Sequence, residues 1–172
     1  MSFRVRLTEL NAMDADAFTL ALDGVFEHSP WIARAAHAAR PFAAVAQLHA
    51  AMLATMREAG AERQRDLLAA HPELGRPASL TAASAAEQAG HGLDRLADDE
   101  AAGFAALNAA YRARFGFPFI IAVRGQRDRA TILEALRARL ANPTIVEHTT
   151  ALAEVAKIAR FRLDDRVEDD GS

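Results

Sequence analysis

The sequence predicts an all-α fold, a single-domain bundle of about eight helices. Three observations carry this. Apolar residues recur at helical spacing from Asp14 almost to the C-terminus. The breaks between these runs carry helix caps, Pro and Gly, and no two-residue hairpin turns. Only Gly116 to Val123 is strand-like, and its Pro and Gly mark it as an unusual connection and not a sheet member.

Residues 1 to 10 read as an extended arm, and no later stretch offers it a partner strand. Asp14 or Asp16 caps the first helix, which carries Phe18, Leu20, Leu22, Val25 and Phe26. His28-Ser29-Pro30 stops it and starts the next, with Ser29 as cap and Pro30 at the first helical position. Arg40-Pro41-Phe42 breaks that helix. A longer amphipathic one runs from Ala44 to Glu58, with Val45, Leu48, Met52, Leu53 and Met56 inward, closed by Gly60. Ala61 to Ala70 follows and ends at His71-Pro72. Beyond a Gly/Pro/Ser stretch come a helix from Ala82 to His91 and a long one from an Asp98 cap to about Phe115. Another runs from an Asp128 cap to Ala141, and a Thr144/Glu147 capping box opens the last, which ends near Leu163. The chain reads as one domain over 1–172, with the arm and the acidic tail from 165 at its periphery.

With 172 residues the chain has room for one full hydrophobic core, and 51% hydrophobic against 25% charged residues is an ordinary globular balance. A net charge of -3 argues against a nucleic-acid partner, which would need clustered Lys and Arg. There are no cysteines, so disulfides, thiolate metal sites and Cys nucleophiles are excluded. The N-terminus lacks the apolar run of a signal peptide, and no segment approaches the ~18 apolar residues of a membrane span. A cytoplasmic protein without membrane contact is expected.

The chemistry centres on residues 67–93. His71 ends a helix before Pro72. One reading is a C-terminal cap that complements the helix dipole; the other is a proton-transfer group. Ser84, Glu87 and Gln88 share one face of the following helix. Ser84 and Glu87 also fit a capping box, which leaves Gln88 unexplained. A hydroxyl, a carboxylate and an amide among alanines resemble a pocket wall more than a core. Phe115-Gly116-Phe117-Pro118-Phe119-Ile120-Ile121 reads first as core, yet a non-helical apolar segment in an all-helical chain needs partners for its backbone N–H and C=O groups, and a planar, amide-rich ligand would supply them. The six histidines show no metal-ligand spacing, and there is no phosphate loop or nucleophile elbow. The residues by themselves lead to an all-α domain with a cofactor-free acid/base pocket.

Several stretches, in order, resemble one family. They are His71-Pro72-Glu73-Leu74, Ser84-Ala85-Ala86-Glu87-Gln88 with Gly92-Leu93, Leu107-Asn108-Ala109-Ala110-Tyr111 running into Phe115-Gly116-Phe117-Pro118-Phe119, and Glu154-Val155-Ala156-Lys157-Ile158 with Arg162-Leu163. Together they are similar to the 2-oxo-4-hydroxy-4-carboxy-5-ureidoimidazoline (OHCU) decarboxylases of urate breakdown. The resemblance implies an all-α homodimer without metal or other cofactor, forming (S)-allantoin and CO2 from OHCU. It implies His71 as catalytic acid/base with Glu87 beside it. Pro72, Ser84, Gln88, the backbone of Phe119, Ile120, Ile121, Ala122 and Val123, and Arg162 would contact substrate. His91 departs from the pattern, which has a small residue between the two glycines. The competing readings are a decarboxylase or hydrolase of another ureido acid, and a non-catalytic helical interaction domain.

Overall fold

The computed structural model describes residues 4–76 and 80–170, which divide into two compact units: the chain up to Leu67 together with Ala159 onward, and Leu68–Ile158. Both are helical. Among the described residues the helices are α1 (Leu7–Ala12), α2 (Ala15–Ala21), α3 (Pro30–Ala36), α4 (Val45–Glu58), α5 (Gly60–Ala69), α6 (Ala82–Ala89), α7 (Asp98–Phe115), α8 (Arg129–Arg139) and α9 (Thr144–Arg166). The all-α expectation holds.

The first unit contains α1 to α4, most of α5 and the end of α9. Leu7, Leu10, Phe18, Ile32, Leu48, Met52, Met56 and Leu163 are fully buried in it, each side chain contributing roughly 1.5–3 kcal/mol of transfer free energy. The Asp14 cap is present, its side chain accepting from the Ala17 N–H at 2.8 Å. Ser29 precedes α3, but its hydroxyl donates to the Glu27 carbonyl and does not cap the helix. The helix expected through Phe26 stops at Ala21; Leu22, Val25 and Phe26 stay buried in turns that follow it.

The arm is a further correction. Val5–Arg6 pairs in parallel with Val167–Glu168. The tail also reaches back: Asp170 accepts from the Thr8 N–H at 2.8 Å, and Asp169 from the Val45 N–H at 2.6 Å. α9 continues to Arg166, beyond Leu163, and so delivers a strand that the alternation of so few residues does not announce.

In the second unit Phe104, Tyr111, Phe117, Phe119, Ile132, Leu136 and Val155 form the core. The Tyr111 ring lies 4.6 Å from Phe115, 5.9 Å from Phe117 and 5.5 Å from Phe119, centroid to centroid. Two caps differ from expectation. Asp98 is the first residue of α7, and the cap position falls to Ala97, which makes no side-chain cap bond. α9 begins at Thr144 with the Glu147 N–H on the Pro143 carbonyl, so the Thr144/Glu147 box does not form and Glu147 is used elsewhere. The Asp128 cap holds, accepting from the Thr131 N–H at 2.8 Å.

Candidate active site

His71 sits one residue past the last turn of α5, its N–H on the Leu68 carbonyl, and it is buried. The backbone after it is tied down at consecutive residues. Glu73 takes Arg112 Nε at 3.1 Å and Arg76 Nη1 at 3.0 Å. The Leu74 carbonyl accepts from Asn108 Nδ2 at 2.9 Å, and the Gly75 N–H donates to Gln88 Oε1 at 3.0 Å. Gly75 has φ +75°, a conformation that costs glycine little. Burial alone would raise the Glu73 carboxyl, but the bonds from Arg76 and Arg112 outweigh it and hold the group below the ordinary glutamate value. A cavity of about 400 Å³ opens here, lined by Ala70, His71, Pro72, Glu73, Arg76 and Arg112.

α6 corrects the capping-box reading of Ser84. The cap is Thr81, whose hydroxyl accepts from the Ser84 N–H at 3.3 Å, so Ser84 and Glu87 lie inside the helix. Ser84 and Gln88 are buried, one turn apart. Gln88 therefore joins α6 to the His71 loop. Its neighbour Glu87 lies 4.0 Å from Arg124 Nη2, in the short 3₁₀ turn Val123–Gly125. His91 is bonded too, a ring nitrogen 2.9 Å from the Gln126 carbonyl.

The segment from Phe117 to Ala122 is non-helical and runs into the 3₁₀ turn at Val123, with Phe119, Ile120, Ile121, Ala122 and Val123 all buried. It starts from Gly116, whose φ of +81° ends α7. Protein side chains meet part of its backbone demand, for which the sequence suggested a ligand. Arg139 Nη1 donates to the Ile120 carbonyl at 2.6 Å, and Glu154 Oε2 accepts from the Ala122 N–H at 2.8 Å. The Ala122 carbonyl takes the Gly125 N–H at 3.1 Å. Arg139 is itself fixed by Glu147, Nε to Oε1 at 2.7 Å, and its guanidinium lies 4.5 Å from the Phe119 ring centre. Glu147 also receives the Tyr111 hydroxyl and, at 2.9 Å, Asn142 Nδ2. Burial, followed by this hydrogen bond to a carboxylate, pushes the Tyr111 hydroxyl well above its usual range.

Arg162 belongs to the first unit, where it is buried and donates to Glu27 Oε1 at 3.0 Å and to the Gly24 carbonyl at 2.9 Å. Glu27, Asn108, Tyr111, Arg139 and Glu154 carry no site role in the sequence analysis, and Glu147 enters it only as a capping-box residue. The available signal was a charged or amide residue on an otherwise apolar helix face, as Glu154 beside Val155 and Asn108 three residues before Tyr111. Among the described residues no group of three or more His, Asp or Glu side chains is arranged to hold a metal ion.

Comparison with known proteins places the chain in a family. The family model of OHCU decarboxylase matches residues 11–164. A 2-oxo-4-hydroxy-4-carboxy-5-ureidoimidazoline decarboxylase of Haloferax volcanii is 42% identical over 93% of this chain and 95% of its own. A mouse protein of the same name is 37% identical, over 92% and 91% respectively. The uric acid degradation bifunctional protein PucL of Bacillus subtilis is 41% identical over 96% of this chain, which spans 33% of that longer protein. A crystal structure of (S)-allantoin synthase superposes with a TM-score of 0.73 at 31% identity, covering 94% of this chain and 54% of that one. A structure of OHCU decarboxylase in the presence of (S)-allantoin shares the fold, with a TM-score of 0.66 at 24% identity. With the family model and full-length relatives both matching, the chain belongs to the OHCU decarboxylase family.

Proposed function

We propose that this chain is a carboxy-lyase that converts OHCU to (S)-allantoin and CO2 in urate catabolism, with His71 as general acid/base. The observation that supports it best is the α6 face. Gln88 meets the loop that carries His71, while Glu87 approaches the turn that ends the 119–123 segment. A single helix thus links the proton-transfer candidate to the backbone candidate.

The substrate's name fixes its chemistry. C4 carries both hydroxyl and carboxylate, so the ring double bond of the imidazoline joins C5 to nitrogen. When the C4–carboxylate bond breaks, CO2 leaves and its electron pair moves toward that C–N bond, whose nitrogen takes a proton. The resulting enol ketonises: the C4 hydroxyl loses its proton, and C5 gains one on a single face. Hydrogen-bond donors aimed at the developing negative charge lower the barrier. An imidazole with an ordinary pKa of ~6.5 can hold and release the proton near neutrality.

In this reading Glu87 orients the substrate hydroxyl or steers the proton. Ser84 and Pro72 shape the wall. Gln88, with its oxygen on Gly75, offers amide N–H donors to the ureido group. Backbone groups of Phe119 to Val123 take the ring amides. The chain works as one domain and as a cytoplasmic homodimer; among the described residues no helix is long and apolar enough to cross a membrane.

The test is circular dichroism on freshly generated OHCU. Rapid growth of one allantoin enantiomer with the wild-type chain, lost with His71→Asn, is expected. Racemic allantoin at the uncatalysed rate in both samples would refute the reading.

A further inference from the structure

We propose that Glu154 and Arg139 are positioning residues that clamp the 119–123 backbone in its substrate-binding geometry. The inference rests on the reading of that segment as a substrate contact. Among the described residues Phe119, Ile120 and Ile121 make no helix or sheet bonds, so the backbone ahead of the Val123 turn has nothing of its own to fix its register. Here two side chains of opposite polarity grip it two residues apart. Glu154 Oε2 accepts the Ala122 N–H at 2.8 Å, and Arg139 Nη1 donates to the Ile120 carbonyl at 2.6 Å. Each clamp is held from behind. Lys157 Nζ bonds the other Glu154 oxygen at 2.6 Å, and Glu147 holds Arg139 Nε. The side chains of Glu154 and Arg139 are 10% and 11% exposed, so water competes little for these bonds. The Phe119 ring under the Arg139 guanidinium adds a third point of contact. What this leaves for the substrate is a backbone edge already set in place, with little ordering cost on binding.

The test separates reach from charge. Glu154→Gln keeps the length and an acceptor oxygen but loses the charge. Glu154→Asp keeps the charge but withdraws the oxygen from the Ala122 N–H. KM for OHCU and the Kd for (S)-allantoin are measured on both, with kcat. For Glu154→Asp, KM and Kd are expected to rise about tenfold while kcat falls less, the loss of one buried hydrogen bond. Glu154→Gln stays within about threefold of wild type. Arg139→Met raises KM about tenfold as well, and Arg139→Met with Glu154→Asp costs less than the product of the two, since both act on one segment. Unchanged KM and Kd in Glu154→Asp, or Glu154→Gln impaired as severely, would overturn the inference. A wild-type chain inactive on OHCU would instead refute the function on which it rests.

Discussion

Two non-helical stretches of the second unit invite comparison, the loop from His71 to Arg76 and the segment from Phe117 to Ala122. Both are held by side chains that bond their backbone. The loop is fastened by Asn108 and Gln88, and its Glu73 pairs with two arginines. It opens onto a cavity of about 400 Å³. The segment is buried throughout and fastened by Arg139 and Glu154 from within. The difference matches the roles proposed for them. A proton-transfer group must meet substrate and exchange protons with its surroundings, so its loop borders open space. A binding edge gains most from being fixed before the ligand arrives.

The sharpest way to break this division is His71→Asn. The amide keeps polarity without a titratable proton, and kcat is expected to fall by roughly 10²–10⁴. KM and thermal stability should change much less. If binding were lost with the rate intact, the loop would be the binding element and the division would be reversed.

Asn108→Ala tests the fastening of the loop. It strips a donor from the Leu74 carbonyl but also removes Asn108 Oδ1, a buried oxygen without a hydrogen-bond partner among the described residues. The two effects oppose each other, and a net loss of about 1–2 kcal/mol is expected. For a chain of this size that is a Tm drop of roughly 2–8 °C. A drop in kcat alongside it would show that the loop's place governs His71. Gly75→Ala is milder. A Cβ would meet Leu96 Cδ1 at 2.9 Å, yet a leucine methyl can turn aside, so the cost is mainly the positive φ, roughly 1 kcal/mol. Urea denaturation at constant pH checks it.

The helices were legible because apolar spacing and the Asp14 and Asp128 caps are local signals. The parallel pairing of Val5–Arg6 with Val167–Glu168 was not, because it joins two residues to two others across almost the whole chain. The Ser84 cap failed for a different reason: Thr81 is an equally good cap three residues earlier, and periodicity does not resolve so small a shift. At the site, His71, Glu87 and Gln88 were readable as chemistry on neighbouring elements. Arg139, Glu147 and Glu154 were hidden, since their work is to satisfy backbone that only the fold places beside them.

The smallest effect concerns Glu73, and it tests whether the loop's charges hold it as its hydrogen bonds do. The folded carboxyl titrates below its ordinary value of 4.5. The unfolded chain therefore binds its proton first as pH falls. The stabilisation is complete above the unfolded value and is lost as pH drops through the lowered folded value. Arg76 and Arg112 are 68% and 48% exposed, so water screens the pair and its worth is below about 1 kcal/mol. Glu73→Gln should thus lower the urea midpoint slightly at neutral pH and shallow the decline in stability below pH 4.5. Added salt should shrink the neutral-pH difference further. If the variant instead loses as much as Asn108→Ala, the arginine pair fastens the loop as strongly as the buried amide does. The open side of the cavity would then be as rigid as the closed segment, and the contrast between the two stretches would rest on access alone.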